Sequence, residues 1–159
     1  MWDRRQDPRA GQSGQSLVEF ALVLLPLFAI LLGIIQLGFI FNAYVTVANA
    51  AREGARAGSI WVADQTASQA SNDGARTTYV QTVVNSSLGL LTPANATTSV
   101  TPIIDGNACR GTAGDVRRKD QCVRVHVDYS LTLIIPFIAD ILGSGGSMLI
   151  RAESQMIIN

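Results

Sequence analysis

Between Phe20 and Phe41 the chain carries no Asp, Glu, Lys or Arg and is dominated by Leu, Ile, Phe and Ala. At about 1.5 Å rise per residue, a helix over this run spans roughly 33 Å, enough to cross a hydrocarbon core of about 30 Å. The run is apolar on every face, and such a helix belongs in a membrane or inside a large core. A chain of 159 residues has no large core to offer. The run therefore predicts a membrane helix. Pro26 lies inside it, removing one helical hydrogen bond, which membrane helices tolerate. Gln36 is the one strongly polar side chain deep in the run. It reads as a lipid-tolerated amide, with an interhelical hydrogen bond as the sharper alternative.

The flanks set the orientation. Arg4, Arg5 and Arg9 precede the run, whereas basic residues reappear only at Arg52 and Arg56. This bias predicts a cytoplasmic N-terminus, with everything from about Asn42 onward outside. A carboxylate, Glu19, stands at the mouth of the run. A charge there is costly unless paired or protonated, or unless it lies in the headgroup zone within reach of water.

Composition excludes several classes. Formal net charge is zero and charged residues make up only 15% of the chain, so no basic cluster is present to track a nucleic-acid backbone. Residues 59–159 amount to one small domain with a modest core. Its two cysteines, Cys109 and Cys122, flank a polar loop. In an oxidising exterior they form a candidate disulfide, the alternative being two unpaired thiols. A metal site is not expected, because the spacing is wrong and His126 is the only histidine.

The pattern of elements is α+β. Met1–Gly14 is a polar leader, and the first helix is expected to run from near Gln15 to about Gly58. Past Phe41, the residues Tyr44, Ala48, Ala51, Ala55 and Gly58 form a small-residue stripe that lets another backbone approach closely. Gly54 and Gly58 also match a small-residue pairing motif. A second helix is expected over Asp64–Ser87, with Ala63, Ala67, Ala70, Gly74, Val80, Val83 and Val84 as an irregular apolar face. Gly74 threatens to break it, and Gly89 and Pro93 stop it. Thr97–Ile104 reads as a strand, placed at an edge by Pro102. Asp105–Gln121 is a polar loop. Val123–Leu133 alternates strictly: the odd positions, all Val, Tyr or Leu, point one way, and Arg124, His126, Asp128, Ser130 and Thr132 point the other. That is a half-buried antiparallel strand. Phe137–Leu142 is a short turn, and Ser147–Ile158 makes a last strand.

Catalytic chemistry is not expected. His126 and Asp128 share the polar face of one strand, but no nucleophile or pocket accompanies them. The loop Asp115–Asp120 is a solvated run of charge. Gly143-Ser144-Gly145-Gly146 lacks the lysine and following helix of a phosphate-binding loop. No cofactor, nucleic acid or small-molecule substrate is expected.

The stretch Gly11-Gln12-Ser13-Gly14-Gln15-Ser16-Leu17-Val18-Glu19-Phe20-Ala21-Leu22-Val23-Leu24-Leu25-Pro26 resembles the start of TadE-like proteins. So does Asn49-Ala50-Ala51-Arg52-Glu53-Gly54-Ala55-Arg56. Within the first, Gly14 to Phe20 is similar to the processing site of the Flp branch of type IV pilins and pseudopilins. The resemblance is strong over residues 11–58 and loose beyond. It implies a pilin-like fold: a long N-terminal transmembrane helix (15–58), then an extracytoplasmic domain (59–159) with a second helix and a short antiparallel sheet. It implies a minor pilin or pseudopilin of a tight-adherence (Tad) pilus in a bacterial cell membrane, single-pass. Its partners would be other pilin subunits, Tad assembly components and a prepilin peptidase that cuts after Gly14. The new amine on Gln15 would then meet the carboxylate of Glu19, one helical turn on, in the same or a neighbouring subunit, with Phe20 beside it. Two other readings stay open. A general signal peptidase acting at Ala48-Asn49-Ala50 would release a secreted binding domain beginning at Ala51. An unprocessed chain would be a membrane-anchored accessory protein with no filament role.

Overall fold

The structure, a computed structural model, describes residues 10–103, 121–135 and 146–158. Helix α1 spans Ala10–Ile60 and α2 spans Gln69–Ser87. A single 3-10 turn, Pro93–Asn95, leads into strand β1 (Ala96–Ile103), followed by β2 (Cys122–Thr132) and β3 (Ser147–Ile157). Most of the Asp105–Gln121 loop, including Cys109, and the Phe137–Leu142 turn lie outside the described residues. The chain divides into two compact units, residues 1–38 and 39–159, and both draw on α1.

In the first unit, α1 begins at Ala10 rather than near Gln15. Gly11 and Gly14 weaken helix without stopping it, and no proline intervenes before Pro26. The helix continues through Pro26. Gln36 does not face outward as a lipid-tolerated amide would: it is buried, at 2% exposure.

The second unit is built around the C-terminal part of α1. Ala43, Val47, Ala50, Ala51 and Ala55 are buried there, with Val80, Val84 and Leu88 of the α2 region and Val123, Val125 and Val127 of β2. The small-residue face is real but rotated from the expected one. Ala51, Ala55 and Gly58 are buried as expected, whereas Tyr44 is exposed and Ala48 only half-buried. Ala43, Val47, Ala50 and Gly54 complete the face instead. A methyl group added at Gly54 would lie 2.6 Å from Val84 Cγ2, and one at Gly58 would lie 3.0 Å from Val80 Cγ2 and 3.1 Å from Val123 Cγ2. Two glycines one turn apart thus let the α1 backbone close onto α2 and β2.

Helix α2 begins at Gln69, later than the expected Asp64. Ser68 caps it, its hydroxyl accepting a bond from the Ser71 amide at 3.2 Å. Asp64 is occupied in a turn of its own, accepting from the Thr66 hydroxyl at 2.7 Å and the Thr66 amide at 2.8 Å. Such local bonds compete with helix. They hold the Asp64 carboxyl below its ordinary range, the hydroxyl most strongly. A depressed carboxyl stabilises above its unfolded pKa, so this turn is supported at neutral pH. The support is lost as pH falls through the lowered value. Buried Asn72 ties the turn to the helix, accepting from the Asp64 amide and donating to the Asp64 carbonyl, both at 2.8 Å.

Gly74 is exposed and does not break α2. The buried face runs at four-residue intervals through Asn72, Arg76, Val80 and Val84, and on to Leu88 just past the helix. The expected Ala67, Ala70 and Gly74 are not part of it. Buried Arg76 lies 3.5 Å from Asp73 and stacks 5.1 Å above the Trp61 ring. This combination of charge pairing and cation–π contact lets a guanidinium sit inside. Gly89, with φ +61°, follows the helix end in the left-handed region.

The sheet is antiparallel in the order β1-β2-β3. The alternation read from β2 holds residue by residue: Val123, Val125, Val127, Tyr129 and Leu133 are buried and Leu131 half-buried, while Arg124 and Ser130 are exposed. β1 is an edge strand, as Pro102 requires. The Tyr129 hydroxyl accepts from the Thr92 amide at 3.3 Å, fixing the turn into β1.

Candidate processing and assembly site

Gly14 through Phe20 form successive turns of α1, so Gln15 and Glu19 stand one above the other. The Gln15 side-chain amide donates to the Glu19 carboxylate at 3.0 Å. Sequence reasoning looked for a main-chain amine as the partner of Glu19 and overlooked this side chain. The i, i+4 spacing of an amide and a carboxylate was the available signal. Glu19 is the single acidic residue between Gly14 and Phe41. Around it Leu17, Val18, Phe20 and Leu22 are each about two-thirds exposed. The helix from Gly14 is long and apolar enough to cross a membrane. A lone carboxylate on an otherwise apolar helix can anchor a cationic partner, and in a dry setting it must.

Gly14 itself is open: a methyl group there would meet nothing within 4 Å. Its peptide bond to Gln15 lies within the helix.

Away from this segment, Cys122 opens β2, is 1% exposed and is not a free thiol. Its expected partner, Cys109, lies outside the described residues. On the polar face of the sheet, His126 Nε2 lies 3.0 Å from Asp128, and His126 Nδ1 lies 3.9 Å from Glu153. Arg124 pairs with Glu153 at 2.8 Å, and Arg151 with Asp128 at 3.4 Å. These groups are partly exposed; His126 and Asp128 pair within β2 and the others across to β3, each pair contributing at most about 1 kcal/mol. They form a partly exposed ladder of charge on that face. Among the described residues no group of three His, Cys, Asp or Glu is placed to hold a metal.

Neither the curated proteins nor the solved structures provide a match to the chain. The family model for TadE-like proteins matches residues 14–56. The match starts at the glycine of the candidate processing site, includes Glu19 and the apolar run, and ends within the face that α1 packs into the second unit. Over residues 14–56, about a quarter of its length, the chain is similar to TadE-like proteins.

Proposed function

We propose that the chain is a minor pilin or pseudopilin-like subunit that takes part in assembling a Tad (Flp-type) pilus or a related secretion machinery. The observation that carries this reading is the coincidence, at one helix N-terminus, of the TadE-like match, the open Gly14 and the lone Glu19. A prepilin peptidase cuts after Gly14 and frees the Gln15 amine. Glu19 then holds that amine, or a neighbouring subunit's, and sets the axial register between chains. The helix spans the bacterial cell membrane once. Arg4, Arg5 and Arg9 stay in the cytoplasm, and the α+β unit lies outside.

Burial argues against the secreted alternative. Cleavage before Ala51 would cut α1 between two fully buried core residues and remove Ala43, Val47 and Ala50 from the core. The N-terminal residue of the mature chain separates the readings: Gln15 for a pilin-like subunit, Ala51 for a secreted domain, Met1 for a plain anchor. Co-expression with a prepilin peptidase followed by intact-mass measurement is the test. Gly14→Val is expected to abolish the processed species. Because a side chain at Gly14 has open space and valine favours helix over glycine, such a loss reports recognition rather than misfolding. Processing of the variant at the parent rate would remove Gly14 from the site.

The oxidising exterior also favours a Cys109–Cys122 disulfide. Closing a loop of this size stabilises by about 3 kcal/mol in the chain-entropy view. Non-reducing peptide mapping of envelope-derived protein should recover the linked pair, and finding both thiols free would refute it.

A further inference from the structure

The two edges of the sheet are not equivalent. On the β3 side, Ile158 donates to the Gln121 carbonyl and the Leu133 amide donates to Gly146. Both bonds join directly opposed residues in the β2–β3 register. Even-numbered residues of β3 therefore turn their main-chain groups toward β2, and odd-numbered ones turn theirs to the outer edge. The same reasoning on β1 turns its even-numbered residues outward. There the edge is closed off: the Thr98 carbonyl accepts from the Gln81 side chain of α2 at 3.2 Å, and Pro102 has no N–H to offer. Among the described residues nothing caps the main chain of β3 in this way. It is 11 residues long, contains neither proline nor lysine, and among the described residues no strand lies beyond it. Met148, Leu149 and Ile157 are exposed along it.

We propose that β3 pairs antiparallel with β3 of a second copy of this chain, on a two-fold axis at Ala152. The sequence of the strand is self-complementary about that point. Arg151 of each copy falls opposite Glu153 of the other, and Met148 falls opposite Met156. Residues 151 and 153 are odd-numbered, so this register also joins main-chain groups that already face outward. The neighbouring registers compatible with that parity fail on charge. Moving the axis to residue 151 sets Arg151 against Arg151, and moving it to 153 sets Glu153 against Glu153, both repulsive. Arg151 is 67% exposed and Glu153 49%, so each can reach across while keeping its pair within the sheet. This pairing requires only the fold of residues 39–159 and does not depend on the filament reading.

The full chain in detergent provides the test. Sedimentation should find the parent as a dimer. Arg151→Glu alone and Glu153→Arg alone should each dimerise roughly tenfold more weakly, because like charges then face each other twice. An equimolar mixture of the two variants should dimerise again, since every opposed pair is then Glu against Arg. The reversals also touch Asp128 and Arg124 within the sheet, so Ala152→Cys gives a second readout that leaves those pairs intact. The residues on the axis are a non-hydrogen-bonded pair, with Cα atoms about 4.5 Å apart, within the range a disulfide spans. Oxidation should link that variant, and not the parent, into covalent dimers. A monomeric parent, or single variants that dimerise as well as the parent, would overturn the proposal. So would an Ala152→Cys chain that does not cross-link beyond the parent.

Discussion

Gly54→Val is expected to destabilise the unit formed by residues 39–159 by about 3 kcal/mol, and Gly54→Ala by about 1–2 kcal/mol. Two effects oppose each other at this position. Alanine or valine relieves the helical cost of glycine, which is at most about 1 kcal/mol. Against that, the first added carbon would sit 2.6 Å from Val84 Cγ2 and 3.3 Å from Val125 Cγ1 and Val80 Cγ1. All three valines are fully buried, and β-branched side chains are stiff about their first torsion, so none can swing aside cheaply. Overpacking therefore wins, and wins by more for valine. Gly74→Ala is the internal control. It is the same exchange in the middle of a helix, but exposed and with nothing within 4 Å. Only the propensity gain remains, so that variant should be stabilised by up to about 1 kcal/mol. Thermal or denaturant unfolding of the full chain in detergent measures both signs. Combining Gly54→Ala with Val84→Ala should recover part of the loss, since the second change opens the space that the first one fills. An unchanged midpoint for Gly54→Val would mean that α1 does not approach α2 this closely.

That close approach marks the limit of what the sequence could reveal. The alternation of β2 was legible residue by residue, although the strand runs Cys122–Thr132 rather than Val123–Leu133, because strand alternation has a period of two and its partner faces need not be known. The edge position of β1 followed from one proline. The packing face of α1 was legible only as a kind of surface, small and helical. Alanine and glycine occur all round this stretch, so neighbouring faces look alike. Ala43, Val47, Ala50 and Gly54 are singled out by α2 and β2, which lie far away in sequence. α2 starts later than the expected Asp64 because the Thr66 bonds commit Asp64 to a turn and Ser68 takes the cap. Val80 and Val84 of its buried face were expected, but Asn72 and Arg76, which complete it, were not, because a polar side chain at helical spacing announces no core. Their burial depends on Asp64, Asp73 and Trp61 being in place. The placement of Gly14, Gln15, Glu19 and Phe20 on successive turns of one helix was legible, since they fall within seven consecutive positions. What the structure adds there is the Gln15 side-chain amide as a partner of Glu19.

That added contact sharpens what Glu19→Ala should do. Membrane insertion depends on the apolar run, which the substitution only makes more hydrophobic, so insertion should persist. Cleavage after Gly14 should also persist, because the carboxylate lies more than a turn beyond the cut. Association with other pilin subunits should fail. In the assembled state the Gln15 amine would be left without its counter-charge in an apolar setting. Breaking a buried pair costs about 3–5 kcal/mol, against at most about 1 kcal/mol for an exposed one. Glu19→Gln should be intermediate, retaining a hydrogen bond without the charge. Gln15→Ala separates the two possible partners. It removes the side-chain amide seen at 3.0 Å but leaves the amine that cleavage creates. If the amine carries the register, Gln15→Ala assembles nearly as well as the parent. If the side-chain amide carries it, Gln15→Ala fails as Glu19→Ala does. Co-purification or cross-linking with the major pilin in a Tad-bearing host, alongside intact mass to establish processing, reads all three variants. Should Glu19→Ala and Glu19→Gln both be processed and assemble as the parent does, Glu19 is a headgroup-zone residue and register is set elsewhere on the helix.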